Sequence, residues 1–200
     1  MEISKLIKDN KIVGVIDKYI SPLDDINENV INILNVSSKK RIENSLKIAG
    51  LDSSVLDKNF LKLSSSERQK VLNARVLLEN NNIMVFNHPT MFLDTNSKKN
   101  LIKLLKMMKM RYNKTIIIFT SDIEFLYRVV DYVFLTENDN IVFEGNKYNV
   151  FTSNVFNNYG LDMPLIMKFS NLVKSKKNID MSYRDDISDL MKDVYRYKDA

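Results

Sequence analysis

The feature that most constrains this chain is an alternation of short apolar strands with amphipathic helices. Runs rich in β-branched residues at positions 11–17, 83–86 and 115–122 have the composition of strands buried in a sheet. Apolar residues recur at helical spacing between them, as in residues 96–111. This order predicts an α/β fold with a parallel sheet and helices packed on its faces.

The clearest helix start in the sequence is at Ser64. Glu67 follows three residues later, which is the pattern of a capping box, and apolar residues then continue along one face. Residues 26–36 and 37–49 also show helical spacing, and Gly50 stands where a left-handed C-cap is wanted. We therefore predict a helical subdomain at residues 26–80.

The remainder of the chain predicts further elements of the same domain and a small appendage. Helices are expected at residues 122–130 and 147–156, with a hairpin at 132–145 between them. The domain is expected to cover residues 11–160, and two helices, the first with Pro164 in its first turn, form a C-terminal α extension at 161–200.

Composition excludes several kinds of site and partner. The chain contains no cysteine, so thiolate metal sites and cysteine nucleophiles are excluded. The formal net charge of +5 is spread along the sequence and favours a solvated surface, so no nucleic-acid partner is expected. No apolar run approaches the roughly 18 residues of a membrane span, and we expect a protein that neither crosses a membrane nor is secreted.

Three motifs occur in a fixed order: L-S-x-x-E at 63–67, P-T-x-x-L-D at 89–94 and T-x-D at 120–122. In this order and spacing they resemble the signature helix, the Walker B strand with its D-loop, and the switch strand of ABC-type ATPases. Residues 11–30 resemble the strand and Q-loop, and residues 159–176 the C-terminal extension, of the energy-coupling factor (cobalt and vitamin importer) ATPases. The resemblance implies a partial P-loop NTPase-like fold in a cytosolic subunit docked on a transmembrane coupling protein.

Several positions depart from the pattern that the resemblance implies. The magnesium-holding aspartate and the water-polarising glutamate of the family correspond to Asn87 and His88, and the switch histidine corresponds to Ser121. An amide brings no negative charge to offset Mg²⁺. No G-x-x-x-x-G-K-[ST] motif occurs, and in the family it lies before the Q-loop, so the N-terminal part of the domain is expected to be missing. We therefore predict no intact catalytic residue, no metal site and no ATP hydrolysis.

His88, the only histidine, has two interpretations. It caps a strand that has lost a catalytic role, or it acts as a general base, a role that an imidazole can fill in principle. The first interpretation is favoured, because a base needs an anchored phosphate nearby. True hydrolysis through His88 would require an upstream segment with a phosphate loop.

The resemblance also implies two sets of contact residues. Weak nucleotide contacts, made in trans to the phosphate loop of a partner, are predicted for Ser64, Ser65, Ser66, Glu67 and Asp94. Asp94 is equally well explained as the N-cap of the following helix. Contacts with a membrane protein are predicted for Lys18, Tyr19, Ser21, Asp24 and Asp25, and Lys18 aligns with the Q-loop glutamine.

The leading hypothesis is a degenerate, non-hydrolysing ATPase-like subunit of an energy-coupling factor importer. Such a subunit would pair with an intact ATPase subunit and a transmembrane coupling protein, peripheral to the inner face of the cell membrane. It would hold no cofactor on its own and share Mg-ATP with its partner. The alternative is a stand-alone interaction or regulatory protein, or a decaying remnant, that binds no nucleotide and needs a partner to cover the apolar edge of its sheet.

Overall fold

The structure is a computed structural model that describes residues 11–16, 26–138, 140–177 and 181–198. A five-stranded sheet forms the centre of this part of the chain. Its strands are β1 (Ile12–Ile16), β2 (Ile83–Asn87), β3 (Thr115–Thr120), β4 (Tyr132–Glu137) and β5 (Asn140–Asn146). The three predicted apolar strands are therefore confirmed, each within two residues of its expected ends.

The strand order across the sheet is β2-β3-β1-β4-β5. β1 pairs in parallel with β3 and β4, β2 pairs in parallel with β3, and β5 returns antiparallel to β4. The predicted hairpin is confirmed, with a register shift between Leu135 and Thr136. Because parallel strands end at the same edge, the segments after β2 and β3 meet there.

Helices pack against the sheet and form a layer beside it. They are α1 (Val30–Leu34), α2 (Lys39–Ala49), α3 (Ser65–Glu79), α4 (Thr95–Tyr112), α5 (Ile123–Val129), α6 (Lys147–Phe151), α7 (Asn154–Asn158), α8 (Leu165–Lys177) and α9 (Ile187–Lys198). Gly50 ends α2 with a backbone φ of 80°, as its position in the sequence predicts. No helix in the described residues is both long enough and apolar enough to cross a membrane.

The helix predicted over residues 26–36 is shorter than expected. Only Val30–Leu34 is helical, because Asn29 has an extended backbone and forms an isolated bridge with Asn59. Asn35 then ends the helix in the left-handed region, with a φ of 41°.

The helix predicted over residues 147–156 is interrupted. The hydroxyl of Thr152 donates to the Tyr148 carbonyl, and the hydroxyl of Ser153 accepts the N–H of Phe156 to begin α7. Hydroxyl side chains that bond nearby backbone groups compete with the helical ladder, which is why one pattern of apolar residues became two short helices.

Apolar side chains form two large clusters. The larger joins one face of the sheet to the helices packed on it, with Phe86 and Ile118 from strands and Leu105 and Leu126 from helices. The second is built by α1, α2 and α3 together with Phe60 of the loop before α3. The predicted domain boundaries stay predictions, although the second cluster shows that the helical layer has a core of its own.

The C-terminal helices are fastened to the sheet domain by polar contacts around two tyrosines. The Tyr127 hydroxyl donates to the Arg184 carbonyl (2.7 Å), and the Tyr148 hydroxyl donates to Asp185 (2.9 Å). Asp185 also pairs with the ammonium group of Lys147 (2.6 Å). Burial lowers the pKa of Lys147, and the nearby Asp185 carboxylate opposes that shift.

Candidate functional site

The turn after β2 places Asn87 and His88 on opposite sides of the strand. Asn87, the last residue of β2, is exposed, whereas His88 is buried. The His88 backbone has a φ of 43°, and its N–H donates to the Phe119 carbonyl of β3 (2.7 Å). Histidine tolerates this left-handed conformation better than most residues. The exposed–buried alternation of β2 therefore continues into the turn, and the imidazole is held in the interior.

Asp122, at the end of β3, links this turn to two helices. Its Oδ2 accepts hydrogen bonds from the Thr90 hydroxyl (2.8 Å) and the Lys98 ammonium group (2.7 Å). Its Oδ1 accepts the N–H of Phe125 (3.0 Å) and caps α5. Burial alone would raise the pKa of Asp122, but the hydrogen bonds from Lys98, Thr90 and Phe125 outweigh it and lower the pKa. The carboxylate is therefore ionised and engaged by three donors.

Two buried polar residues of α3 also hold the turn. The amide of Asn73 donates to the Pro89 carbonyl (3.0 Å), and the amide of Gln69 donates to Asn73 (3.4 Å). Their side chains lie on the apolar face of α3, with exposed fractions of 1% for Gln69 and 6% for Asn73. Sequence analysis did not identify these residues. The sequence pattern could have identified them, because two amides four residues apart interrupt an otherwise apolar helix face.

The N-terminus of α3 is closed by its own side chains. The Ser64 hydroxyl donates to Glu67 Oε2 (2.7 Å) and accepts the Glu67 N–H (3.3 Å), while the Ser64 N–H donates to the same carboxylate (2.9 Å). The predicted capping box is confirmed. Hydrogen bonds from the Ser64 side chain and backbone lower the pKa of Glu67, so a negative charge stands where a phosphate would approach. The predicted nucleotide contacts of Ser64, Ser65, Ser66 and Glu67 stay predictions.

Asp94 is the N-cap of α4. Its carboxylate accepts hydrogen bonds from the backbone N–H groups of Asn96 (2.8 Å) and Ser97 (2.9 Å) and from the Ser97 hydroxyl (2.8 Å). Hydrogen bonds, chiefly from the Ser97 backbone, lower the pKa of Asp94. The capping role that the sequence suggested is present, and the predicted nucleotide contact of Asp94 stays a prediction.

The structure brings three of the predicted site residues together, whereas five others lie outside the described residues. Asn87 is the last residue of β2, His88 follows it, and the exposed Ser121 follows the neighbouring β3, so all three lie at one edge of the sheet. In the described part of the chain, no three His, Asp or Glu side chains are grouped to hold a metal ion. The predicted partner contacts Lys18, Tyr19, Ser21, Asp24 and Asp25 lie outside the described residues.

The described polar groups at this edge bind one another. Asp122 and Lys98 form an ion pair, and Asn87 offers a neutral amide. The arrangement ties α3, α4 and α5 to the ends of two strands.

Comparisons with known proteins agree with the motifs. The chain is 28% identical over 194 residues to the energy-coupling factor transporter ATP-binding protein EcfA of Malacoplasma penetrans, a match that covers 96% of this chain and 61% of that protein. It is 29% identical over 199 residues to the energy-coupling factor transporter ATP-binding protein EcfA1 of Fusobacterium nucleatum, which covers 95% of this chain and 72% of that protein. The chain thus spans less than two thirds of the length of the first relative. No protein-family model matches it.

The fold is likewise similar to that of an ABC transporter ATPase. A bacterial ABC transporter cassette solved as a dimer superposes with a TM-score of 0.53 and 25% identity, over 73% of this chain and 68% of that one. The predicted fold class is confirmed by this likeness and by the mixed sheet with its helices. In sequence and in fold the chain therefore resembles the ABC-type ATPase domains of the energy-coupling factor subfamily.

Proposed function

We propose that the chain is a non-hydrolysing, ATPase-like subunit of an energy-coupling factor importer, paired with an intact ATPase subunit. The observation that supports this most is the turn after β2. The positions expected to hold magnesium and polarise water are an exposed amide, Asn87, and a buried imidazole, His88. The carboxylate that contacts this turn, Asp122, is bonded to Lys98 and Thr90.

The electrostatics of this edge argue against hydrolysis by this chain. Mg²⁺ prefers carboxylate and phosphate oxygens and keeps several waters, and Asn87 supplies no charge for it. Freeing Asp122 for such a role would leave α5 without its cap and Lys98 without its partner. Each loss would cost the fold stability.

The N-terminus of α3 is the part that could still meet a nucleotide. Helix N-termini attract anions through free N–H groups and the helix dipole. Here the Glu67 carboxylate already accepts the Ser64 N–H and hydroxyl. A shared site built from Ser64, Ser65, Ser66 and Glu67 would therefore bind the phosphates of Mg-ATP weakly, with Asp94 at its border.

The membrane side of the proposal depends on the relatives. Those proteins are named as transporter ATP-binding proteins. By extension, Lys18, Tyr19, Ser21, Asp24 and Asp25 would contact a transmembrane coupling protein, and the chain would be cytoplasmic and peripheral to the inner face of the membrane.

A native purification tests the proposal. The chain, with a C-terminal tag, is purified from detergent-solubilised membranes of its host, and the proteins that accompany it are identified and quantified. We expect an intact ATPase subunit and a transmembrane protein, with the transmembrane protein reduced in a Tyr19→Ala variant and retained in a matched Tyr112→Ala control on α4. Recovery of the chain alone, or equal loss in both variants, would contradict the transporter assignment.

A second candidate is a stand-alone interaction protein, and the C-terminal helices favour it. α8 exposes Leu165, Phe169 and Leu172 at helical spacing, with exposed fractions between 41% and 66%. Apolar rows of this kind mark contact surfaces. In this case the purification would yield a soluble partner and no transmembrane protein.

A further inference from the structure

A narrow cleft lies between the helical layer and α4. Its walls are the end of α2, one side of α3 and the first half of α4. Buried apolar side chains of α2 belong to the second apolar cluster and those of α4 to the larger one, so the cleft lies where the two cores meet. Its volume is about 180 Å³. A molecule bound there would contact both parts of the fold.

The inner wall of the cleft is apolar. Leu77 and Leu101 line it and are buried, and Leu93 and Leu104 are half-buried. Ile48 also lines the cleft although it is 53% exposed, so it stands at the mouth. Cavities of roughly 150 Å³ with such walls bind molecules the size of benzene, whereas drug-sized ligands need roughly 300 Å³ or more. The cleft therefore has room for a single ring or a short alkyl group and not for a nucleotide.

Two lysines give the cleft a positive charge. Lys47 lies in the last turn of α2, and the Nζ of Lys70 on α3 lies 3.9 Å from the position that a Cβ on Gly50 would occupy, at the end of the same helix. In the described part of the chain, neither ammonium group has a hydrogen-bond or ion-pair partner, and no acidic side chain lines the cleft. The carboxylates of Glu67 and Asp94 lie within electrostatic range of Lys70, but each caps its own helix. The two ammonium groups are therefore available to an acidic group of a ligand.

Two other polar residues of the cleft are already engaged within the protein. Asn73 lines the cleft, and its amide donates to the Pro89 carbonyl (3.0 Å), which links the cleft to the turn after β2. Ser97 also lines it, and its hydroxyl donates to Asp94 (2.8 Å). Recognition of a ligand therefore falls to the two lysines and the apolar wall. An apolar pocket with a few convergent polar groups is the usual form of a small-molecule site.

We propose that this cleft binds a small amphipathic carboxylate. The two carboxylate oxygens meet Lys47 and Lys70, and the apolar body lies against Leu77, Leu101 and Ile48. A ligand in this position bridges the helical layer and α4, so it should stabilise the folded chain against heat. The site is separate from the N-terminus of α3 and from the segment after β1, and its absence would have no consequence for the proposed transporter role.

A ligand-observed NMR titration of the purified chain with benzoate tests the inference. Benzoate joins one ring to one carboxylate, whereas benzyl alcohol keeps the ring without the charge and acetate keeps the charge without the ring. We expect benzoate to bind saturably with a Kd of roughly 0.1–1 mM, and the other two probes to bind about tenfold more weakly. No saturation by about 10 mM benzoate, or an equal affinity for benzyl alcohol or acetate, would overturn the inference.

Three variants locate the bound benzoate. Lys70→Met removes one charge, keeps most of the aliphatic stem and should weaken benzoate binding about five- to tenfold. The matched control Lys99→Met, at an exposed position of α4 outside the cleft, should leave the affinity unchanged. Ile48→Glu places a negative charge at the mouth and should abolish binding; because Ile48 is exposed, the fold tolerates the change, and the melting temperature of each variant verifies this. Full affinity in a folded Lys70→Met or Ile48→Glu variant, or an equal loss in Lys99→Met, would also overturn the inference.

Discussion

Removing the Asp122 side chain should destabilise the protein more than any other single change at the strand ends. Asp122→Ala deletes the cap of α5, which is worth about 1 kcal/mol, and the Thr90 hydrogen bond, worth about 1 kcal/mol. The Lys98 side chain is 39% exposed, so its ion pair is screened by solvent and adds only about 0.5 kcal/mol. The expected loss is about 2–3 kcal/mol, or roughly 5–10 °C in melting temperature for a chain of this size.

Thermal unfolding followed by circular dichroism measures this loss. Asp122→Asn is the informative companion, because asparagine keeps the cap and loses the charge, and it should cost only about 1 kcal/mol. Asp57→Ala, an exposed aspartate before α3, serves as the control and should leave the melting temperature within 2 °C, as surface substitutions usually do. A loss below about 1 kcal/mol for Asp122→Ala would refute the account of Asp122 as a structural link.

The pH dependence of stability, compared between the wild-type protein and Asp122→Asn, tests whether the charge of Asp122 contributes. The folded pKa of Asp122 lies below its unfolded value, so the stabilisation is complete above the unfolded pKa and is lost as pH falls through the folded pKa. The stability difference between the wild-type protein and Asp122→Asn should be largest at neutral pH and shrink below about pH 4. A difference that is constant down to acid pH would show that the charge contributes nothing.

Three further predictions concern the same region. Glu67→Gln keeps the capping box and removes the charge at the N-terminus of α3, so the complex with the partner ATPase should bind ATP about 2–5-fold more tightly by calorimetry. The control Glu79→Gln, at the other end of α3, should leave the affinity for ATP unchanged. Equal affinities for the two variants would count against a shared site. Asn73→Ala leaves a buried carbonyl without its donor and should cost about 1–3 kcal/mol in urea unfolding; a neutral result would mean that the turn is held by other contacts. The double variant Asn87→Asp, His88→Glu should release no phosphate from ATP in a colorimetric assay of the isolated chain, since the phosphate cradle is still lacking, and measurable turnover would refute that reasoning.

Local features were predictable because their partners are close in sequence. The capping box at Ser64 and Glu67, the left-handed Gly50 and the capping carboxylate of Asp94 all act within four residues, and all are present. Hydrogen bonds between residues close in sequence also explain why the single helix predicted over residues 147–156 is two helices in the structure. Apolar spacing predicted one helix, but the competing hydroxyl of Ser153 began a second.

The long-range polar contacts of the site were not predictable from one sequence. Asp122 meets Thr90 and Lys98 across 32 and 24 residues, and Asn73 meets the Pro89 carbonyl across 16. Nothing in the residue types at those positions indicates the pairing. It exists because β2 and β3 are neighbours and end at the same edge.

By itself the sequence determined the kinds of element, their caps and the family that the chain resembles, because periodicity, capping chemistry and ordered motifs are local properties of the chain. The tertiary structure alone decided that β1 lies at the centre of the sheet, that His88 is buried, and that Met84 and Phe86 face the core whereas Val85 is exposed. The physical reason is that an apolar strand has the same pattern wherever it lies in a sheet. Only the packing of distant segments decides which of its faces is covered.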